Sequence, residues 1–107
     1  MATDPELAGE CYDRIAHLDG LSERKMFGVL CFMQYGNMIC GVIRDGLMIR
    51  VGKPNMQAAL ALSDVEQMEM NNRPMSGFVA TSYDTSHEVL DSLFNLARDF
   101  VRNLPPK

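Results

Sequence analysis

The stretch Met26-Phe27-Gly28-Val29-Leu30-Cys31-Phe32-Met33-Gln34-Tyr35-Gly36-Asn37-Met38-Ile39-Cys40-Gly41-Val42-Ile43-Arg44-Asp45-Gly46-Leu47-Met48-Ile49-Arg50-Val51 decides the fold class. Its apolar runs are interrupted at Tyr35-Gly36-Asn37 and at Asp45-Gly46. Asp-Gly between apolar runs signals a hairpin, because a type I′ turn needs two residues at positive φ. Either Tyr35-Gly36 or Gly36-Asn37 can make the earlier turn. Three antiparallel strands follow, near 27–34, 37–44 and 47–52.

A register follows from those turns. With Asp45-Gly46 as a two-residue loop, Arg44 faces Leu47, Val42 faces Ile49 and Cys40 faces Val51. With Tyr35-Gly36 as the other loop, Cys31 faces Cys40 and Val29 faces Val42. Side chains alternate between faces along a strand. One face then carries Val29, Cys31, Met33, Met38, Cys40, Val42, Leu47, Ile49 and Val51. The other carries Leu30, Phe32, Ile39, Gly41, Ile43, Met48 and Arg50. Slipping the first turn by one residue exchanges the faces of the first strand. In either register both faces are largely apolar, and one layer of helices hides only one of them.

Outward from this sheet, Thr3 and Glu6 have capping-box spacing, and Pro5 suits a first helical turn. Leu7, Cys11, Ile15 and Leu18 recur at helical period, and Gly20 is a stop signal, so residues 4–18 read as a helix. Pro54 opens a short helix through Leu62. Residues 65–70 and 77–83 read as a second hairpin across Asn71-Asn72-Arg73-Pro74. Thr85 and Glu88 repeat the capping-box spacing. Leu90, Leu93, Phe94, Ala97, Val101 and Leu104 then form the stripe of a final helix, which Pro105-Pro106 ends. The fold expected is α+β in two layers, an antiparallel five-stranded sheet with helices, in the order α-β-β-β-α-β-β-α.

The bulk properties narrow the function classes. The 107 residues suit one domain, and 47% hydrophobic composition is ordinary for a globular one. A net charge of −4 argues against direct nucleic-acid binding, which needs clustered Lys and Arg. No apolar run approaches the roughly 18–20 residues that span a bilayer. The N-terminus has neither the basic nor the apolar region of a signal peptide, so a cytoplasmic location is expected. Cys11, Cys31 and Cys40 lack any Cys-x-x-Cys spacing. Cys31 and Cys40, opposed in the register above, read as small buried hydrophobes rather than as a redox pair. His17 and His87 have no metal-ligand neighbours at useful spacing and read as surface residues. Asp64, Glu66 and Glu69 read as a solvated acidic edge. No nucleophile elbow or phosphate loop is present. A non-enzymatic domain without metal or cofactor is therefore expected.

Arg24-Lys25-Met26-Phe27-Gly28, Gly36-Asn37-Met38, Gly41-Val42, Asp45-Gly46-Leu47-Met48-Ile49-Arg50 and Arg73-Pro74-Met75-Ser76-Gly77-Phe78-Val79 carry a family resemblance. In that order they resemble the N-terminal domain of the TfoX/Sxy family, bacterial regulators of natural competence, over residues 10–104. The resemblance implies an α+β domain with no attached enzymatic activity. The full-length regulators carry a C-terminal helical domain after this segment, and the chain is expected to be a single domain without it.

Two kinds of site are expected. Leu30, Phe32, Ile39, Ile43 and Met48, on the second sheet face, are candidates for a partner interface, since an apolar patch of that extent marks association. A homodimer is the simplest cover, and a protein partner in transcription regulation is the other. Alternatively, the terminal helices lie on opposite faces and bury both within one chain. Arg24, Lys25 and Arg50 are candidates for an anion site or structural ion pairs. Contact with nucleic acid or a small anionic ligand through them is the alternative reading of function.

Overall fold

The computed structural model describes residues 5–26, 29–43, 46–82 and 84–105. Helix α1 spans Pro5–Ile15, and four strands follow: β1 Leu21–Met26, β2 Val29–Gln34, β3 Asn37–Ile43 and β4 Gly46–Arg50. A 3-10 turn at Lys53–Asn55 leads into α2, Met56–Leu60. Strands β5 (Val65–Met70) and β6 (Arg73–Ser82) precede α3, His87–Val101. The sheet is antiparallel and has six strands, in the order β1-β2-β3-β4-β6-β5.

The α+β class and the helix order agree with the sequence, but the sheet has one strand more than expected. The addition is β1, Leu-Ser-Glu-Arg-Lys-Met. It is an edge strand rich in charge, as exposed edges are when they resist pairing with another sheet. That composition hides the alternation by which strands are recognised. The β5–β6 turn is tight: Asn71 and Asn72 both have positive φ, 55° and 64°. This is type I′ chemistry, and it frees Arg73 and Pro74 to begin β6. Thr3 and Tyr83, assigned above to a cap and a strand, lie outside the described residues.

The register departs from expectation at both early hairpins. Tyr35 and Gly36, with φ of 50° and 85°, form the two-residue β2–β3 loop. Beyond it the pairing passes from Met33↔Met38 to Phe32↔Cys40, so Ile39 is the extra residue of a β-bulge. Cys31 therefore faces Gly41, not Cys40, and β2 turns its other face to the helices. At the β3–β4 hairpin Ile43 pairs with Gly46 and Val42 with Leu47. That is two residues short of the expected register, which preserves the faces. Arg44 and Asp45, which join these strands, lie outside the described residues.

All three helices pack on one face. Leu7, Cys11 and Ile15 of α1, Ala59 of α2, and Leu90, Leu93, Phe94, Ala97 and Val101 of α3 enter a single cluster. The sheet contributes Phe32, Ile39, Cys40, Val42, Leu47, Ile49, Val65 and Val79 to it, and Val51, just past β4, joins them. Ser86 caps α3, its side chain accepting from the Val89 N–H at 3.3 Å. Arg14 ties α1 to α3: its Nε donates to Asp91 Oδ1 at 2.8 Å, and Arg98 donates to the Arg14 carbonyl at 2.9 Å. Asn37 donates to the Pro105 carbonyl at 2.9 Å, which fastens the end of the chain to β3.

Candidate interaction face

One cross-strand row organises the face away from the helices. Arg24 pairs with Cys31, Cys31 with Gly41, Gly41 with Met48, Met48 with Ala80, and Ala80 with Glu66. Directly opposed residues project to the same side of a sheet, so these six share one face. A Cβ at Gly41 would lie 3.1 Å from Met48 Cε, 3.1 Å from Val29 Cγ1 and 3.4 Å from Cys31 Sγ. Those three side chains thus converge over the glycine. Cys31 and Met48 are buried there, yet neither belongs to the helix-side core. Val29, Ile43, Phe78 and Ala80 surround them half-buried.

The ends of the row carry opposite charge. Arg24, on edge strand β1, and Glu66, on edge strand β5, are both exposed. Neither has an ion pair or hydrogen bond from its side chain among the described residues. Beside Glu66 lies a groove of about 280 Å³ lined by Ile43, Asp64, Glu66, Ala80, Thr81 and Ser82. The face therefore has an apolar centre, a basic flank and an acidic flank.

The expected interface residues divide between the two faces. Ile43 and Met48 lie on the helix-free face. Phe32 and Ile39 are in the helix-side core, 2% and 0% exposed, and Leu30 packs against that core. The bulge accounts for this. Two residues of β3, Ile39 and Cys40, oppose the single residue Phe32, and all three point toward the helices. The Phe32 ring then sits 6.2 Å from that of Tyr12 on α1.

The three expected cations do not form one site. Arg24 and Lys25 are exposed neighbours on β1, so they project to opposite faces. Arg50 lies on β4, three strands away, or roughly 14 Å at the usual strand spacing. Its guanidinium carbon stands 5.8 Å from the centroid of Phe78 and 5.5 Å from that of Phe100. Both are cation–π distances. Burial lowers its pKa, and no carboxylate reaches it among the described residues. Arg50 lines a cleft of about 380 Å³ together with Gly52, Lys53, Pro54, Ser76, Gly77 and Phe100. Lys53 and Ser76 were not singled out from the sequence. Gly52 and Gly77, both at positive φ, were the available signal for an unusual backbone there.

The cysteines are free and buried. Cys40 faces the helices and Cys31 the other side, so they are not cross-strand neighbours. Burial raises the Cys40 thiol well above its ordinary range, and the adjacent Cys11 thiol raises it further. Desolvation also raises Cys31. Thiols held protonated in this way are poor nucleophiles. His87 Nε2 comes within 3.1 Å of Glu10 Oε1, although that oxygen accepts no aligned hydrogen bond. No cluster of three His, Cys, Asp or Glu side chains suited to a metal occurs among the described residues. No helix among them is long and apolar enough to cross a membrane.

A family model described as the TfoX N-terminal domain matches residues 13–100, a span that takes in the whole sheet and both of its faces. No curated protein and no solved structure matches the chain.

Proposed function

Since the chain belongs to the TfoX N-terminal domain family, we propose that it is a non-catalytic domain of the competence-regulator type that acts by association. Its first partner, in this reading, is a second copy of itself. The helix-free sheet face carries the proposal: an apolar centre with opposite charges at its two edges.

The row from Arg24 to Glu66 favours one arrangement. Two sheets meeting face to face are related by a two-fold axis lying in the interface. If that axis runs along the strands between β3 and β4, Arg24 of one copy meets Glu66 of the other, and the contact occurs twice. An axis across the strands sets Arg24 against Arg24 and Glu66 against Glu66. Like charges opposed at an interface cost several kcal/mol, roughly, so the first arrangement is favoured. Sheets packed face to face stand about 10 Å apart, which two long side chains bridge. In this arrangement the groove beside Glu66 receives Arg24 of the second copy, and Asp64 reinforces the attraction.

Charge reversal tests the association and its orientation together. Arg24→Glu and Glu66→Arg each change an exposed side chain and leave the core untouched. The wild-type chain is expected to be a dimer by light scattering at micromolar concentration. Each single reversal should weaken it on the order of tenfold or more, and the double reversal should restore it. A wild-type chain that stays monomeric at high micromolar concentration refutes self-association. A dimer indifferent to both reversals refutes the orientation.

A further inference from the structure

The cleft beside Arg50 lies at the end of β4, beyond the row that runs from Arg24 to Glu66, and shares none of that row's residues. Part of its wall is backbone, at Gly52 and Gly77. The Gly77 carbonyl accepts from the N–H groups of both Val51 and Gly52, each at 2.9 Å, which locks the end of β4 to β6. Gly52 has φ of 90°, and a Cβ there would lie 2.3 Å from Phe100 Cδ1. Phe100 therefore lies against bare backbone and forms one wall. Pro54 stiffens the segment opposite.

The polar groups in this cleft are cations and a hydroxyl. Among the described residues no Asp or Glu lines the cleft. Arg50 is half-buried between two aromatic rings and has no carboxylate partner among the described residues. A guanidinium removed from water is ordinarily paired, and its fork geometry matches oxyanions. Lys53 supplies a second positive charge and Ser76 a hydroxyl donor. Two cations match a dianion better than a monocarboxylate. The volume exceeds what a bare tetrahedral anion needs and falls within the range of small-molecule pockets.

We propose that this cleft binds a phosphate monoester, with the phosphoryl group held by Arg50, Lys53 and the Ser76 hydroxyl and the organic portion resting on Phe100 and Pro54. Phenyl phosphate is a suitable probe, with inorganic phosphate and benzoate as its two halves. Calorimetric titration of the wild-type chain should show phenyl phosphate binding more tightly than inorganic phosphate, and benzoate more weakly than phenyl phosphate. Amide resonances of Gly52, Lys53, Ser76 and Gly77 should move on titration. Lys53→Met, at an exposed position, should weaken binding roughly tenfold, and Arg50→Met roughly a hundredfold. Should Arg50→Met fail to fold, Lys53→Met and the resonance map decide the matter. Absence of binding, affinity unchanged in Lys53→Met, or shifts elsewhere in the chain would overturn the site. Inorganic phosphate binding as tightly as phenyl phosphate would overturn the role given to Phe100 and Pro54.

Discussion

At the scale of single residues, burial governs the chemistry. Cys40 is 0% exposed, and its thiol holds its proton beyond the ordinary value of 9.0. Above pH 9.0 the unfolded chain releases this proton while the folded chain keeps it. The folded state then binds more protons, so stability falls as pH rises. The loss starts near pH 9.0 and continues until the folded thiol itself titrates. It amounts to at most about 1.4 kcal/mol per pH unit for one thiol. Urea unfolding at pH 8, 9 and 10 should show a steeper decline for the wild type than for Cys40→Ala. Parallel profiles would contradict the assignment. Arg50 illustrates the same physics with a different outcome. Its position on β4 and its charge were visible in the sequence, but its two aromatic neighbours come from β6 and α3 and were not.

At the scale of elements, glycine was read correctly as a marker and incorrectly as to reason. Asp45-Gly46 suggested a turn with Gly46 at positive φ. Gly46 instead begins β4 and pairs with Ile43 and Ser82. A Cβ there would stand 1.7 Å from the Thr81 carbonyl oxygen, so the glycine is needed for close approach of backbone. Gly46→Ala should cost about 2–4 kcal/mol in chemical denaturation, because the clash is with main chain that cannot swing aside. Gly9→Ala is the matched control. It lies within α1 with nothing within 4 Å of the added Cβ, and should stabilise by up to about 1 kcal/mol. Equal effects at both positions would exclude the close-approach explanation. The helices were easier to read: their apolar stripes are local, and α3 starts within two residues of its predicted cap. The bulge at Ile39 was not legible. No glycine marks it, and its effect shows only in the packing, where Phe32 rather than Met33 enters the helix-side core. Strand β1 was missed because its pairing partner, rather than its own alternation, makes it a strand.

At the scale of the whole molecule, the helices cover one face of the sheet and leave the other without a helical layer. A two-fold dimer of the proposed kind links folding to association, so the midpoint of thermal unfolding should rise with protein concentration. Wild type measured between about 5 and 500 μM should show this rise, and Arg24→Glu should show less of it. A concentration-independent midpoint in both chains would count against the dimer. The sequence by itself determined the α+β class, the positions of the helices, the double-sided apolar character of the central strands and the family. Each of these depends on local periodicity, turn residues or short motifs, and those are properties of neighbours along the chain. Only the tertiary structure decided which apolar residues lie on the free face. A single bulge exchanged the sides of β2, moving Leu30, Phe32 and Ile39 to the helix side and leaving Cys31, Ile43 and Met48 on the other. It also decided that Arg24 aligns with Glu66 and that Arg50 stands apart with Lys53 and Ser76. Those relations cross several strands, and they are set by packing between segments far apart in sequence.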